Sequence, residues 1–256
     1  MRPSSAVSDL RDHGPVPEPD STYWRFYAEV AAAQLAQWLP EQRSRVLDLS
    51  NSDRFTAQLV ARGHEVIQTR DQAPDRSPTP TPGSGRVLTV VGDIPALGWL
   101  RDQSVDLVLA ESRALSKCLA AEVTVEHLGR VLRPGGRMLL VVDSLGLGLA
   151  RLADQGRWAE LADIPFADVV LVPDENGSIT RCFWPAELHL LLREAGLDVE
   201  WIRPRTVLTP ATVERAMAAG GEATLSTLIQ SELSLAAGRE GETAGLHLVA
   251  SARRPY

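Results

Sequence analysis

Three side chains in this sequence stand where a proton could be moved. Glu111 follows the apolar run 105–110, Asp143 follows the run 137–142, and His189 lies in a helical pattern over 185–195. A carboxylate or imidazole so placed can act as general base when an oxygen or nitrogen nucleophile must lose its proton. Each also has an ordinary use: Glu111 as a loop charge, Asp143 as a helix cap for the segment after it, His189 as one position on an amphipathic helix. His13, His64, His127 and His247 do not pair at i,i+4, and Cys118 and Cys182 lack metal-ligand spacing, so no metal site is expected. There is no Gly-x-x-x-x-Gly-Lys-Ser/Thr loop and no Gly-x-Gly-x-x-Gly, which removes nucleoside-triphosphate and ordinary dinucleotide chemistry.

The elements that must hold these residues read clearly. Asp20 or Ser21 can cap a helix reaching Trp38, with Trp24, Tyr27, Ala31, Leu35 and Trp38 on one face and Pro40 beyond its end. Continuous apolar runs at 45–50, 64–69, 87–91, 105–110 and 137–142 read as strands that a parallel sheet buries on both faces. Helical spacing at Phe55, Leu59 and Val60 stops at Gly63. Further helices are expected at 94–101 and 122–132, the second closed by the turn Arg133-Pro134-Gly135-Gly136. The helix at 185–195 is followed by a strand at 199–203, a helical insertion within 207–244 and a last strand at 246–252. This alternation predicts an α/β fold, a doubly wound and mostly parallel Rossmann-like sheet with its ligand crevice at the carboxyl ends of the strands. One connection departs from it. The stretch 71–85, DQAPDRSPTPTPGSG, holds four prolines, each worth about 3 kcal/mol against a helix interior, so a loop is expected in place of a crossover helix.

At 256 residues, 44% hydrophobic and 23% charged, the chain can bury a core of its own. One domain over 21–256 is expected, after a disordered tail at 1–20. The net charge of −7 gives no general basic field, although Lys117 is the only lysine among 26 basic residues. Nucleic-acid binding is therefore not expected, while a local site for a small anion stays open. The first 20 residues carry no apolar signal core, and no run reaches the ~18 apolar residues of a membrane span. A reduced, cytoplasmic protein is the expectation.

In order along the chain, RVLDLSNSDRFTAQLVARGHEV, VVGDIPALGWLRDQSVDLVLAES, LGRVLRPGGRMLLVV, FWPAELHLLLREAGLDVEWI and LHLVASARRP resemble the class I S-adenosylmethionine-dependent methyltransferases over roughly 20–254. The resemblance implies that family's sheet, with an antiparallel C-terminal strand, and a cofactor site on specific positions. The family's glycine-rich loop after the first strand falls on Ser50, Ser52 and Arg54, just after Asp48. Its ribose-binding acid falls on Arg70, with Asp71 next to it, and the acid that meets the adenine amino group falls on Asp93.

Two of these matches change the chemistry. Glycine leaves no Cβ between loop backbone and ligand, whereas Arg54 brings a long charged side chain. A carboxylate accepts from two ribose hydroxyls, whereas the guanidinium of Arg70 can only donate. With the missing crossover helix, these losses fall on one pocket. The expectation is a methyltransferase-fold protein with a degenerate S-adenosylmethionine pocket, expected to bind no cofactor and serving as a non-catalytic ligand- or partner-binding protein. The alternative is an active small-molecule methyltransferase that lines S-adenosylmethionine with Ser50 to Arg54, Arg70 or Asp71, and Asp93. A third reading has Arg54 and Arg70 gripping a phosphate or carboxylate. The sheet face that the missing helix leaves bare is expected to be covered by a homo-oligomer or protein partner, or else within the chain by the N-terminal helix or the insertion at 210–237.

Overall fold

The computed structural model describes residues 21–70, 85–92, 97–111, 113–118, 120–167, 169–173, 177–242 and 244–256. The tail at 1–20 and nearly all of the Pro-rich stretch, 71–84, lie outside them. Helix α1 (Thr22–Trp38) precedes β1 (Arg45–Asp48), α2 (Asp53–Ala61), β2 (Glu65–Arg70), β3 (Arg86–Val91) and β4 (Val105–Ala110). Then come α3 (Ala121–Val131), β5 (Leu132–Ser144), α4 (Leu145–Asp154), α5 (Trp158–Asp163), β6 (Val170–Pro173) and β7 (Ile179–Phe183). The chain closes with α6 (Pro185–Glu194), β8 (Asp198–Arg205), α7 (Pro210–Gly220), α8 (Glu222–Ala237) and β9 (His247–Arg253).

Strands β3-β2-β1-β4-β5 are parallel neighbours in that order. The C-terminal β9 runs antiparallel to β5 from Arg137↔Arg253 to Asp143↔His247, and β8 pairs antiparallel with β9 on its far side. The carboxyl ends of β1, β2, β4, β5 and β8 and the start of β9 therefore share one edge of the sheet. A hairpin of β6 and β7 joins that edge through only two pairs, Asp143↔Cys182 and Ser144↔Phe183.

Both faces are covered over β1, β4 and β5, which is why those strands are largely apolar, whereas no residue of β3 is buried. On one face Leu35 and Trp38 of α1 and Leu59 of α2 pack on Val46, Val66, Leu107 and Val249. The Trp38 indole N–H donates to Ser251 Oγ at 2.8 Å, fixing α1 across β9. On the other face Val125 and Leu128 of α3 and Leu188 and Leu192 of α6 pack on Leu47, Val108 and Leu140. Helices α7 and α8 pack on α1 through Val213, Met217 and Leu225 against Tyr23, Phe26 and Val30. Because α1 lies between the sheet and this pair, it buries Tyr23, Phe26 and Val30 as well as Ala31, Leu35 and Trp38, while Trp24 and Tyr27 are only partly buried. No helix among the described residues is long and apolar enough to cross a membrane.

Two expectations need correction, and one element was missed. Arg133 to Gly136 is part of strand β5, because Gly135 N–H donates to Arg254 O and Arg254 N–H donates to Gly136 O, pairing this stretch with the chain end. The helix expected at 94–101 reduces, where described, to a 3₁₀ turn at Leu97–Trp99. The β6–β7 hairpin was not foreseen at all.

Gly245 joins the ends of β8 and β9, at φ +85°, and a Cβ there would lie 2.5 Å from Arg205 O. Its carbonyl accepts from Ser144 Oγ at 2.7 Å. Gly245→Ala is expected to destabilise the fold by about 2 kcal/mol, from backbone strain plus overpacking. An unchanged urea midpoint would show that this junction relaxes freely.

Candidate functional site

The loop after β1 is stapled to its own strand. Asp48, fully buried, accepts from Ser50 N–H at 2.9 Å and from Thr56 Oγ1 at 2.6 Å, and Gln68 Nε2 donates to the same threonine at 2.7 Å. Burial raises the Asp48 carboxyl above its usual range. The one left-handed residue between β1 and α2 is Asn51 at φ +50°, a residue type that tolerates this conformation. Ser52 has extended backbone and starts α2 without a side-chain cap.

Arg54 leaves the crevice. Its guanidinium lies 2.9 Å from Glu29 on α1, with both side chains partly exposed. Arg70, at the end of β2, donates through Nε to Gln68 Oε1 at 3.1 Å and through Nη2 to Asp53, the first residue of α2. Both arginines of the expected anion grip are thus already bonded to carboxylates of this chain. Asp71 and Asp93 lie outside the described residues, so five of the seven cofactor positions, Asp48, Ser50, Ser52, Arg54 and Arg70, have a described place.

The proton-moving candidates are also placed differently from their expected roles. Glu111, just past β4, is buried against Arg205 at the end of β8, with N···O distances of 2.6 and 2.9 Å and side-chain exposures of 2% and 0%. Arg205 Nε donates to Gln34 of α1 at 2.8 Å, and its guanidinium carbon lies 5.6 Å from the Tyr27 ring centre. Burial pushes the Tyr27 hydroxyl up to about 12. Both Glu111 oxygens accept from a guanidinium, so Glu111 is an ion-pair partner rather than a free base.

Asp143, near the end of β5, accepts from Arg113 Nη1 on both oxygens, at 3.0 and 3.2 Å. Arg151 Nη1 and His247 Nε2 stand 3.5 and 3.3 Å away. Burial alone would raise the Asp143 carboxyl, but His247 and the two guanidiniums hold it below its usual value. Burial, together with the Arg113 and Arg205 charges, holds His247 below its usual value despite Asp143. Asp143 is therefore an enclosed counter-ion, and Ser144 rather than Asp143 caps α4, accepting from Leu147 N–H. His189 is exposed on the solvent side of α6. The structure brings Glu111 and Asp143 to one edge and leaves His189 outside it.

Sequence reasoning missed Arg113, Arg205 and Tyr27, and gave His247 no role beyond failing a metal pattern. The Tyr27 ring lies 5.3 Å from His247, centre to centre, which links the two ion clusters. Arg113 and Thr206, which follows Arg205, have positive φ of 57° and 61°. With Asn51 they make three of the four non-glycine residues of positive φ among the described residues, and all three lie past strand ends on this edge. Among the described residues, no group of three or more His, Cys, Asp or Glu could hold a metal ion.

No family model matches the chain, and no curated protein sequence does. Solved structures do. A Methanosarcina mazei S-adenosylmethionine-dependent methyltransferase matches with a TM-score of 0.57 at 18% identity, over 87% of this chain and 97% of that one. The Burkholderia thailandensis 1,6-didemethyltoxoflavin N1-methyltransferase, solved with 1,6-didemethyltoxoflavin and S-adenosylhomocysteine, matches at 0.51 and 19% identity, over 94% of each chain. A Haloferax volcanii protein in complex with the methyltransferase activator Trm112 matches at 0.54 and 19%, over 98% of this chain and 96% of that one. This chain has the class I S-adenosylmethionine-dependent methyltransferase fold.

Removing one partner of a buried ion pair strands the other charge, at about 3–5 kcal/mol. Glu111→Gln is expected to cost that much in urea unfolding, and Glu111→Leu combined with Arg205→Met much less. Equal losses for the two variants would show that packing, rather than charge, sets the requirement.

Proposed function

We propose that this methyltransferase-fold protein does not use S-adenosylmethionine in the ordinary way and acts as a non-catalytic ligand- or partner-binding protein. The observation that carries the reading is Arg70. The family position that accepts from the ribose hydroxyls holds a donor-only guanidinium, turned towards Gln68 and Asp53. Arg70 offers the ribose hydroxyls no acceptor, and Asp71 beside it lies outside the described residues. The occupied carboxylates of Glu111 and Asp143 add support, since neither is free to take a substrate proton.

One observation favours the alternative, an active small-molecule methyltransferase. The frame shared with the Burkholderia enzyme, which carries S-adenosylhomocysteine, spans 94% of both chains. Partner binding is the other half of our reading. Strand β3 ends the sheet, and its Leu88 and Val91 are 58% and 53% exposed. Arg86 is the one charged residue of this strand, and residues 87–91 carry neither charge nor proline, the usual guards of a strand edge. A second copy of this chain is the occupant we propose there.

A ligand at a hundred times its dissociation constant stabilises the native state by ~2.7 kcal/mol. Millimolar S-adenosylmethionine is expected to leave the melting temperature unchanged, and Ser50→Gly, Ser52→Gly and Arg70→Asp together are expected to gain affinity. A saturable micromolar isotherm with the parent protein would overturn the non-catalytic reading. Light scattering at high micromolar concentration is expected to give a dimeric mass, and a monomeric one would remove the β3 interface.

A further inference from the structure

Arg113 is anchored on one side only. Its Nη1 donates to both oxygens of the fully buried Asp143, and among the described residues no protein acceptor takes its Nε or Nη2. Those two N–H groups form the side-on fork that fits the paired oxygens of a carboxylate or phosphate. The side chain is one-third exposed at 33%, so a ligand can reach part of it. Arg113 lies past β4, beside the end of β5, where doubly wound sheets hold their ligands. Its backbone sits at φ +57°, a conformation that costs free energy in an arginine and clusters at ligand sites. Glu111 is paired with Arg205, and the charge of Asp143 is shared between Arg113 and Arg151, so these carboxylates do not cancel every cation near Arg113.

We propose that Arg113 is the recognition residue of an oxyanion site, taking the carboxylate or phosphate group of a small ligand through Nε and Nη2 while Asp143 holds its guanidinium in place. This rests on the reading of the chain as a ligand-binding protein and names the chemistry of its ligand. It also moves the anion site from Arg54 and Arg70 to the β4–β5 side of the edge.

The test uses the full chain, with sodium phosphate and sodium acetate as separate probes against sodium chloride at equal ionic strength. Either oxyanion is expected to raise the melting temperature saturably, and the stronger of the two identifies the group recognised. Arg113→Gln is expected to weaken binding at least tenfold, and Arg54→Gln to leave it unchanged. Arg113→Lys keeps a cation beside Asp143 but lacks the fork, so it should fold and still lose affinity. The site is overturned if neither oxyanion acts beyond chloride, or if the Lys variant binds as the parent does. Binding of S-adenosylmethionine would overturn the non-catalytic reading while leaving this anion measurement to stand or fall separately.

Discussion

Glu111 and Arg205 carry opposite charges out of water at the carboxyl edge of the sheet, and each is tolerable there only because the other is present. They belong to β4 and β8, which are separated in the sheet by β5 and β9, so the pair closes only when all four strands are in register. Gln34 takes the remaining Nε of Arg205, which brings α1 into the same requirement. From there Tyr27 lies against His247, and His247 beside Asp143 and Arg113. A low-dielectric chain of contacts thus ties the first helix, three strand ends and the last strand into one unit, in which each polar group depends on its neighbour.

That dependence changes what the edge can recognise. A crevice that binds ribose needs acceptors, and the carboxylates described at this edge are bonded within the chain: Asp48 by its own loop, Asp53 by Arg70, and Glu111 and Asp143 by arginines. The Arg113 side chain, bonded to Asp143 through Nη1, stands beside these paired carboxylates as a donor.

Much of the fold was legible because its signals are local. The apolar runs that became β1 to β5 and the helical spacing of α3 and α6 need nothing but burial on two faces to explain them. Where a distant partner decided, the reading failed. Arg133 to Gly136 looks like a turn until the chain end at Arg254 pairs with it. The short strands of the β6–β7 hairpin, four and five residues long, carry too little pattern to stand out. At the site, position was legible and role was not. Glu111 and Asp143 do stand at strand ends on one edge, but their partners lie 94 and 30 residues away, and no local spacing announces Arg205 or Arg113.

The same division explains how the fold and the chemistry of the edge can come apart. The sheet is held by backbone pairing and by side chains that point into the two faces, and neither Arg70 nor Arg54 contributes to those cores. A donor can therefore replace an acceptor at the end of β2 without cost to the strand beneath it. Glu111 and Arg205 are different, because they are buried as well as polar, and a change in one is a change in the fold. Residues at the exposed rim are free to alter what is bound, whereas the ion pair beneath them constrains how far that rim can move.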